Sequence, residues 1–320
     1  MAAALAARGD DELAALLESS PGVTSLLHVD GVPVFAKRIP ITDRELARPH
    51  STANLFDLPV SCQYGMHRLA GPGFGAWREL AANTIVTERV RAGDIESFAL
   101  LHHWRVLPGR PPVPSEHADV EAVVRQFDGA PAVRVRLEEL AAATASLVLF
   151  LEYLPEPVAA ALTGPVDRAE AFERQLFEIV GFLRRHQLLH MDGHLGNLRA
   201  DGDRIYLVDF GLATSPRFDL SDAERDFVAR HAGHDADYAA MRLVNWLVTE
   251  VCGAPDLVAR NRCVQRCASG DIPSGLPAPV AGILTRHARA AARMNDFHWR
   301  LFDGDTTAWE SRSSTNAWLP

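Results

Sequence analysis

The period of hydrophobic and polar positions changes repeatedly along this chain, and each change predicts a new element. Residues 10–18 have helical or edge-strand character, which Ser19-Ser20-Pro21-Gly22 breaks with turn formers. Two runs rich in Leu, Val, Phe and Ile follow, at 25–29 and 32–39, and Asp30-Gly31 between them is among the strongest short hairpin signals. Lys37 is therefore expected on the second strand of a hairpin.

Residues 41–75 lose all periodicity and carry Pro49, Pro59, Gly65 and the run Gly71-Pro72-Gly73-Phe74-Gly75, so they read as an inserted excursion. Helix formers return at 77–90, with Leu80, Thr84 and Thr87 on one stripe and Glu79 on another. A strand is expected over 97–107. A proline loop at 109–114 then opens a helical segment ending near residue 145, and a strand returns at 147–151. The two prolines of Glu152-Tyr153-Leu154-Pro155-Glu156-Pro157 stop that strand as a short connector would, placing a boundary between 1–152 and 153–320. The first part then carries insertions at about 41–75 and 109–145.

Beyond the boundary, Asp167 with Glu170 suggests a capping-box start, and Phe172, Leu176, Ile179 and Leu183 repeat at helical spacing. A dense polar run at 189–197 precedes the turn Asp201-Gly202-Asp203, an apolar strand at 205–208, and Asp209-Phe210-Gly211. Ser221 with Glu224 repeats the capping pattern, and 238–251 and 280–297 are amphipathic helix candidates.

Composition narrows the class. The 320 residues are 48% hydrophobic and 23% charged, which is the make-up of a folded globular chain long enough for two lobes. A formal charge of -9 would repel a polyphosphate backbone, so nucleic acid is not an expected partner. Residues 1–7 are apolar but short and lack a basic leader, and 141–154 falls short of the ~20 apolar residues of a membrane helix. A cytoplasmic protein without a membrane partner is the expectation. Cys62, Cys252, Cys263 and Cys267 read as reduced thiols; a metal site at Cys263 and Cys267 would need two more ligands that the sequence does not supply nearby.

The chemistry concentrates in two loops. Asp209 ends a strand twelve residues after Asn197, which itself stands five after Asp192. Magnesium is a hard cation that takes oxygen ligands, so Asp209 and Asn197 are the right types to hold ions bridging nucleotide phosphates. Asp192 is then the group that orients or deprotonates an attacking hydroxyl. The run His190-Met191-Asp192-Gly193-His194-Leu195-Gly196-Asn197 resembles the catalytic loop of the protein kinase-like superfamily, and Asp209-Phe210-Gly211 resembles its metal-binding motif. Within that superfamily the loop is similar to the H-x-D-x-H-x-x-N form of aminoglycoside phosphotransferase-type kinases. His194 stands where serine/threonine protein kinases generally carry Lys.

The resemblance, running from about Val23 to Phe227, implies an α+β, bilobal protein kinase-like fold with a small β-rich N-lobe and a larger helical C-lobe, using ATP and Mg2+. It implies that Lys37 contacts nucleotide phosphates and pairs with a helix glutamate, Glu79 in preference to Glu88. It also implies that Glu152 to Leu154 form the hinge against adenine. His190 is expected to brace the loop, with proton carriage the lesser reading. Where a glycine-rich phosphate loop belongs, the chain has Ser19-Ser20-Pro21-Gly22-Val23-Thr24-Ser25, with Gly22 its one glycine. The run from Gly71 to Gly75 reads instead as a lead-in to the next helix, with anion binding at that helix's N-terminus as a secondary reading.

The expected function is transfer of the γ-phosphoryl group of ATP to a hydroxyl of a small-molecule or specialised biosynthetic acceptor. The alternatives are a Ser/Thr kinase for a cognate protein or peptide and, behind it, a pseudokinase scaffold. The short stretch from Gly211 to Ser221 favours a small acceptor, placed between Asp192 and the helices after Ser221, with Asp219, Asp222 and Glu224 at the rim.

Overall fold

Alternating burial builds the sheet. In the computed structural model, which describes residues 1–18 and 22–305, Thr24–Val29 (β1) alternates exposed and buried positions and pairs antiparallel with Val32–Ile41 (β2). Asp30 and Gly31 both take positive φ, 50° and 80°, the conformation whose twist matches the flanking strands of a two-residue hairpin. Leu101–Pro108 (β3) and Ala145–Glu152 (β4) complete an antiparallel sheet in the order β1-β2-β4-β3.

Both faces of this sheet are covered. The helices Ala2–Ala6 and Asp10–Glu18 lay Leu5, Leu13 and Leu17 on Val34, Ala36, Val148 and Phe150. On the other face, Trp77 and Leu80 of the helix Ala76–Arg91 pack on Leu147, Leu149 and Leu151. Strand side chains alternate with a period of two. Lys37 lies opposite Leu149, so the alternation that buries Val34 and Ala36 turns Lys37 toward the helix that carries Glu79.

The two excursions fold against each other. Phe56, Leu58, Cys62 and Phe74 from the first share one apolar cluster with Val123, Phe127, Val133 and Leu137 from the second, whose helices are Val120–Gln126 and Pro131–Ala142. Glu45 and Arg136, both buried, join them through an ion pair of 2.7 Å. The Glu45 carboxylate also accepts from the Thr42 amide at 3.0 Å and the Ala76 amide at 2.9 Å. It thus ties the excursions to the start of the Ala76–Arg91 helix.

The remainder is mainly helical, giving a mixed α+β protein. Pro165–Arg185, His234–Glu250, Leu257–Ala268 and Ala278–Phe302 gather around one large core, which also takes in Tyr64, Ala82, Val86 and Phe98 from the first half of the chain. Glu156–Pro157 (β5), Leu198–Asp201 (β6) and Arg204–Leu207 (β7) form a second, small antiparallel sheet.

Two local expectations change, and one element is new. Asp167 does not cap its helix, because Pro165 with its fixed φ starts it two residues earlier, after Gly164 at φ 73°. The strand expected from residue 97 begins at Leu101; Ser97 instead accepts from the Leu207 amide at 3.0 Å. The Ala2–Ala6 helix has no counterpart in the sequence reading. The Ser221 cap, in contrast, makes both reciprocal bonds with Glu224. All four cysteines are free thiols. Among the described residues no helix is long and apolar enough to cross a membrane.

Removing one partner of a buried ion pair strands the other charge. Arg136→Met is therefore expected to lower unfolding free energy by about 3–5 kcal/mol, measured by urea denaturation. A loss under about 1 kcal/mol would mean that Glu45 does not depend on this cation.

Candidate functional site

Three distant segments meet at one ammonium. Lys37 Nζ lies 2.6 Å from Glu79 Oε1 and 2.8 Å from Asp209 Oδ1. Glu79 stands in the first turn of its helix and is buried, while Glu88, the other candidate, lines a separate groove with Trp104 and Arg217. Asp209 follows β7 with φ at 67°, uncommon for a residue with a side chain. Its Oδ1 also accepts from the Gly211 amide at 3.2 Å.

The charges respond to this arrangement. Burial alone would depress the Lys37 ammonium, but Asp209 and Glu79 outweigh it and hold Lys37 protonated, above the ordinary lysine range. Burial opposes ionisation of Asp209 as well, yet Lys37 and the Gly211 amide bring its carboxyl down to about 2. At Glu79 burial prevails over Lys37, and Asp209 adds to the upward push. Two carboxylates share one ammonium, which leaves the site short of positive charge.

The neighbouring loop is held by backbone bonds. Asp235, at the start of the His234–Glu250 helix, accepts from the amides of His190 at 2.6 Å and Met191 at 3.0 Å, and Met191 adopts φ of 67°. His190 is buried, with Nε2 3.0 Å from the Val208 carbonyl and Nδ1 3.3 Å from the Asp192 amide. The carbonyl needs a donor and the amide needs an acceptor, so one neutral tautomer satisfies both. Burial depresses the His190 pKa. His190 braces the loop through these two bonds.

Asp192 is the unusual member. Its Oδ1 is buried without a hydrogen-bond partner among the described residues, because the backbone at Gly65 packs directly on that carboxylate. Its Oδ2 lies 3.4 Å from Asn197 Nδ2 and 3.7 Å from His194 Nε2. Burial first, and the Asp209 charge second, push the Asp192 carboxyl up to about 7. Asn197 Nδ2 is fixed on the Asp192 carbonyl at 3.0 Å, which leaves its Oδ1 as an acceptor.

A cavity of about 290 Å³ opens beside Lys37, lined also by Glu79, Asn197, Asp209 and the strand end at Glu152, Tyr153 and Leu154. The Glu152 side chain accepts from the Leu100 amide at 3.1 Å, and the Leu154 carbonyl accepts from Arg199 at 2.9 Å. These side-chain bonds fix the strand end. Gly22 is exposed, and Val23 and Thr24 line the cavity in its place; Ser19, Ser20 and Pro21 lie outside the described residues. The secondary reading of an anion site ahead of the Ala76–Arg91 helix is corrected, because Glu45 Oε1 already occupies the Ala76 amide.

The expected acceptor rim also differs. Glu224 is buried against Arg78 at 2.6 Å, and Asp222 pairs with Arg225 at 2.5 Å. Segment 60–66 crosses this side instead, with Gln63 on the Leu212 carbonyl and Tyr64 Oη 2.6 Å from His231 Nε2. Sequence reading missed one available signal: Lys37 is the only lysine in the chain, a compact ammonium kept at one place among arginines. Compared with known proteins, the chain matches no family model and no curated protein.

The buried, poorly partnered Asp192 carboxylate has a measurable signature. Its folded pKa of about 7 stands above the ordinary aspartate value of 3.8, so the native state holds a proton that the unfolded state releases, and stability falls as pH rises through this window. Asp192→Asn removes that titration. The variant is expected to gain roughly 2–4 kcal/mol on wild type between pH 5 and pH 8, at about 1.4 kcal/mol per unit, in urea unfolding at both pH values. A difference that is flat with pH would show that Asp192 titrates normally.

Proposed function

We propose that this chain is an ATP- and Mg2+-dependent phosphotransferase of bilobal protein kinase-like architecture, with an alcohol as acceptor. The observation that carries the reading is the clamp at Lys37, held between Glu79 and Asp209 while a carboxylate of raised pKa, Asp192, stands on the adjoining loop. The sheet and its covering helices form the smaller lobe, 1–152, and the helical core forms the larger, 153–320. The cavity beside Lys37 lies where the strand end at Glu152 to Leu154 joins them.

The residues fit the implied ligands. Asp209 Oδ2 and Asn197 Oδ1 accept no hydrogen bond among the described residues, and magnesium commonly takes one or two such protein oxygens with phosphate and water completing its shell. The deficit of positive charge around Lys37 favours a cation there. Bound Mg-ATP supplies an electrophilic γ-phosphorus with ADP as leaving group. Lys37 places a fixed positive charge against the phosphates, and Glu79 keeps it from swinging away. Asp192 takes the proton of the attacking hydroxyl as the new O–P bond forms, and the bond to the β-phosphate oxygen breaks. Asn197 and His190 hold Asp192 in place through its backbone.

As general base Asp192 must be ionised, so kcat/KM is expected to rise with pH through about 7 in the nucleotide-free enzyme. Asp192→Asn should lower turnover of γ-labelled ATP by roughly 10²- to 10⁴-fold and leave ATP affinity little changed. Asp209→Ala should abolish the magnesium dependence of ATP binding in calorimetry. Because Lys37 is the only lysine, an amine-acylating ATP analogue should modify one side chain, and ATP should protect it. Unprotected labelling, or ATP binding indifferent to magnesium in wild type, would sink the assignment.

A further inference from the structure

A second cavity, of about 320 Å³, lies on the other side of Glu79 and is bounded by Asp192 and Gly211. Its size is at the small end of the ~300–1,000 Å³ typical of small-molecule sites. Most of its walls come from the two excursions, with Ile39, Pro40, Glu79 and Leu212 completing them. Building on the phosphotransferase reading, we propose that this cavity is the acceptor site, and that the acceptor is a compact hydroxycarboxylic acid with an apolar body.

The walls set the shape. Pro111, Pro112 and Pro114 form a stiff side, and Leu137 and Leu140 of the Pro131–Ala142 helix face the same space. Proline fixes backbone φ, so this wall is preorganised for an apolar body. The opposite side is formed by Gly65 with Ala70 to Gly73 and Gly75, and the residues just before Gly65 are pinned through Gln63 and Tyr64 to the helical part of the chain. At its inner end the cavity reaches Asp192, whose side chain is 20% exposed although its Oδ1 is sealed beneath Gly65. An acceptor hydroxyl there stands beside the Asp192 side chain.

Charge selects the other end. Arg110 lines the cavity half-buried and donates to the adjacent Pro111 carbonyl at 3.0 Å. No acidic side chain pairs with it among the described residues. Arg136, on the same wall, is buried; its terminal nitrogens are on Glu45 while its Nε has no partner among the described residues. Glu79, the other acid on the lining, is already held by Lys37. A guanidinium without an acidic partner in a concave apolar setting suits a carboxylate, through charge-assisted bonds of planar geometry. The two cavities share Glu79, and Asp192 lines only the second, so a phosphoryl donor beside Lys37 and an acceptor between the excursions would occupy adjoining sites, with Asp192 on the acceptor's side.

The test uses the full chain with magnesium and a non-hydrolysable ATP analogue. Ligand-observed NMR is recorded for a set of compact aromatic and aliphatic hydroxycarboxylic acids and their matched alcohols lacking the carboxylate. Acids are expected to bind and the matched alcohols to bind weakly or not at all. Leu140→Trp and Ala141→Trp, two independent ways of filling the cavity, should each abolish acid binding, and Arg110→Ala should weaken it by about 10- to 100-fold, the span of one charge-assisted bond. Binding of the ATP analogue should be unchanged in all three variants. Alcohols binding as well as acids, or acid binding that survives both tryptophan variants, overturns the acceptor assignment; the latter is the result for a site on the outer surface. Affinity for the ATP analogue in the same samples separates the two readings. Its absence in wild type sinks the phosphotransferase itself, whereas its presence without any acid binding sinks the acceptor site alone.

Discussion

One largely buried ammonium, Lys37, organises this protein. Lys37 has to be taken out of water, which is costly for a charge unless partners meet it at close range. Those partners come from 42 and 172 residues away in the chain. The meeting therefore depends on three separate placements: the pleat of β2, the axial position of the Ala76–Arg91 helix, and the turn after β7. An error of one residue in strand register would turn Lys37 to the opposite face. Much of the surrounding structure prevents errors of this kind.

The helix position is the most heavily secured of the three. Glu45 accepts from the Ala76 amide at its first turn, and Trp77 Nε1 donates to the Glu45 carbonyl at 2.9 Å. Arg78, one residue before Glu79, is buried between Glu224 at 2.6 Å and the Thr52 carbonyl at 2.6 Å. Burial and Glu224 act on Arg78 in opposite directions, with burial prevailing to lower its pKa. The helix that delivers Glu79 is thus fixed by the excursions on one side and by the helical core on the other. The excursions support the Lys37 clamp as well as walling a cavity.

What the sequence made legible was whatever is decided locally. Asp30-Gly31 specified a hairpin because few other dipeptides adopt two successive positive φ values, and the hairpin together with a period of two located Lys37. Ser221 and Glu224 announced a cap because each side chain needs only the backbone three residues away. Non-local outcomes were not legible. The acid at Glu224 looked like a solvated rim charge, since nothing near it in sequence foretells burial against Arg78, 146 residues earlier. The excursions looked irregular because their apolar residues are spaced for each other and not for a single helix or strand. Gly65 was noticed only as a loop breaker, although in space any side chain there would collide with Asp192.

Asp192 and Asp209 show how the same residue type is driven to opposite ends of its range. Both sit in the protein's low-dielectric interior edge, Asp209 the more open of the two, but Asp209 has an ammonium and an amide on one oxygen, whereas Asp192 has a buried oxygen without a partner among the described residues and a second carboxylate nearby. One carboxyl is brought to about 2 and the other to about 7. A structural role alone would favour giving Asp192 a donor, because an unsatisfied buried oxygen costs roughly 1–3 kcal/mol. Asn197 Nδ2 is near enough to serve, yet its shorter bond, 3.0 Å against 3.4 Å, goes to the Asp192 carbonyl. The loop holds the backbone of Asp192 firmly and leaves its carboxylate poorly satisfied. On the phosphotransferase reading proposed above, this local destabilisation keeps Asp192 ready for a proton that the folded chain does not itself provide. On the same reading, the cavity that reaches Asp192 between the excursions is the route by which that proton, and the hydroxyl carrying it, would arrive.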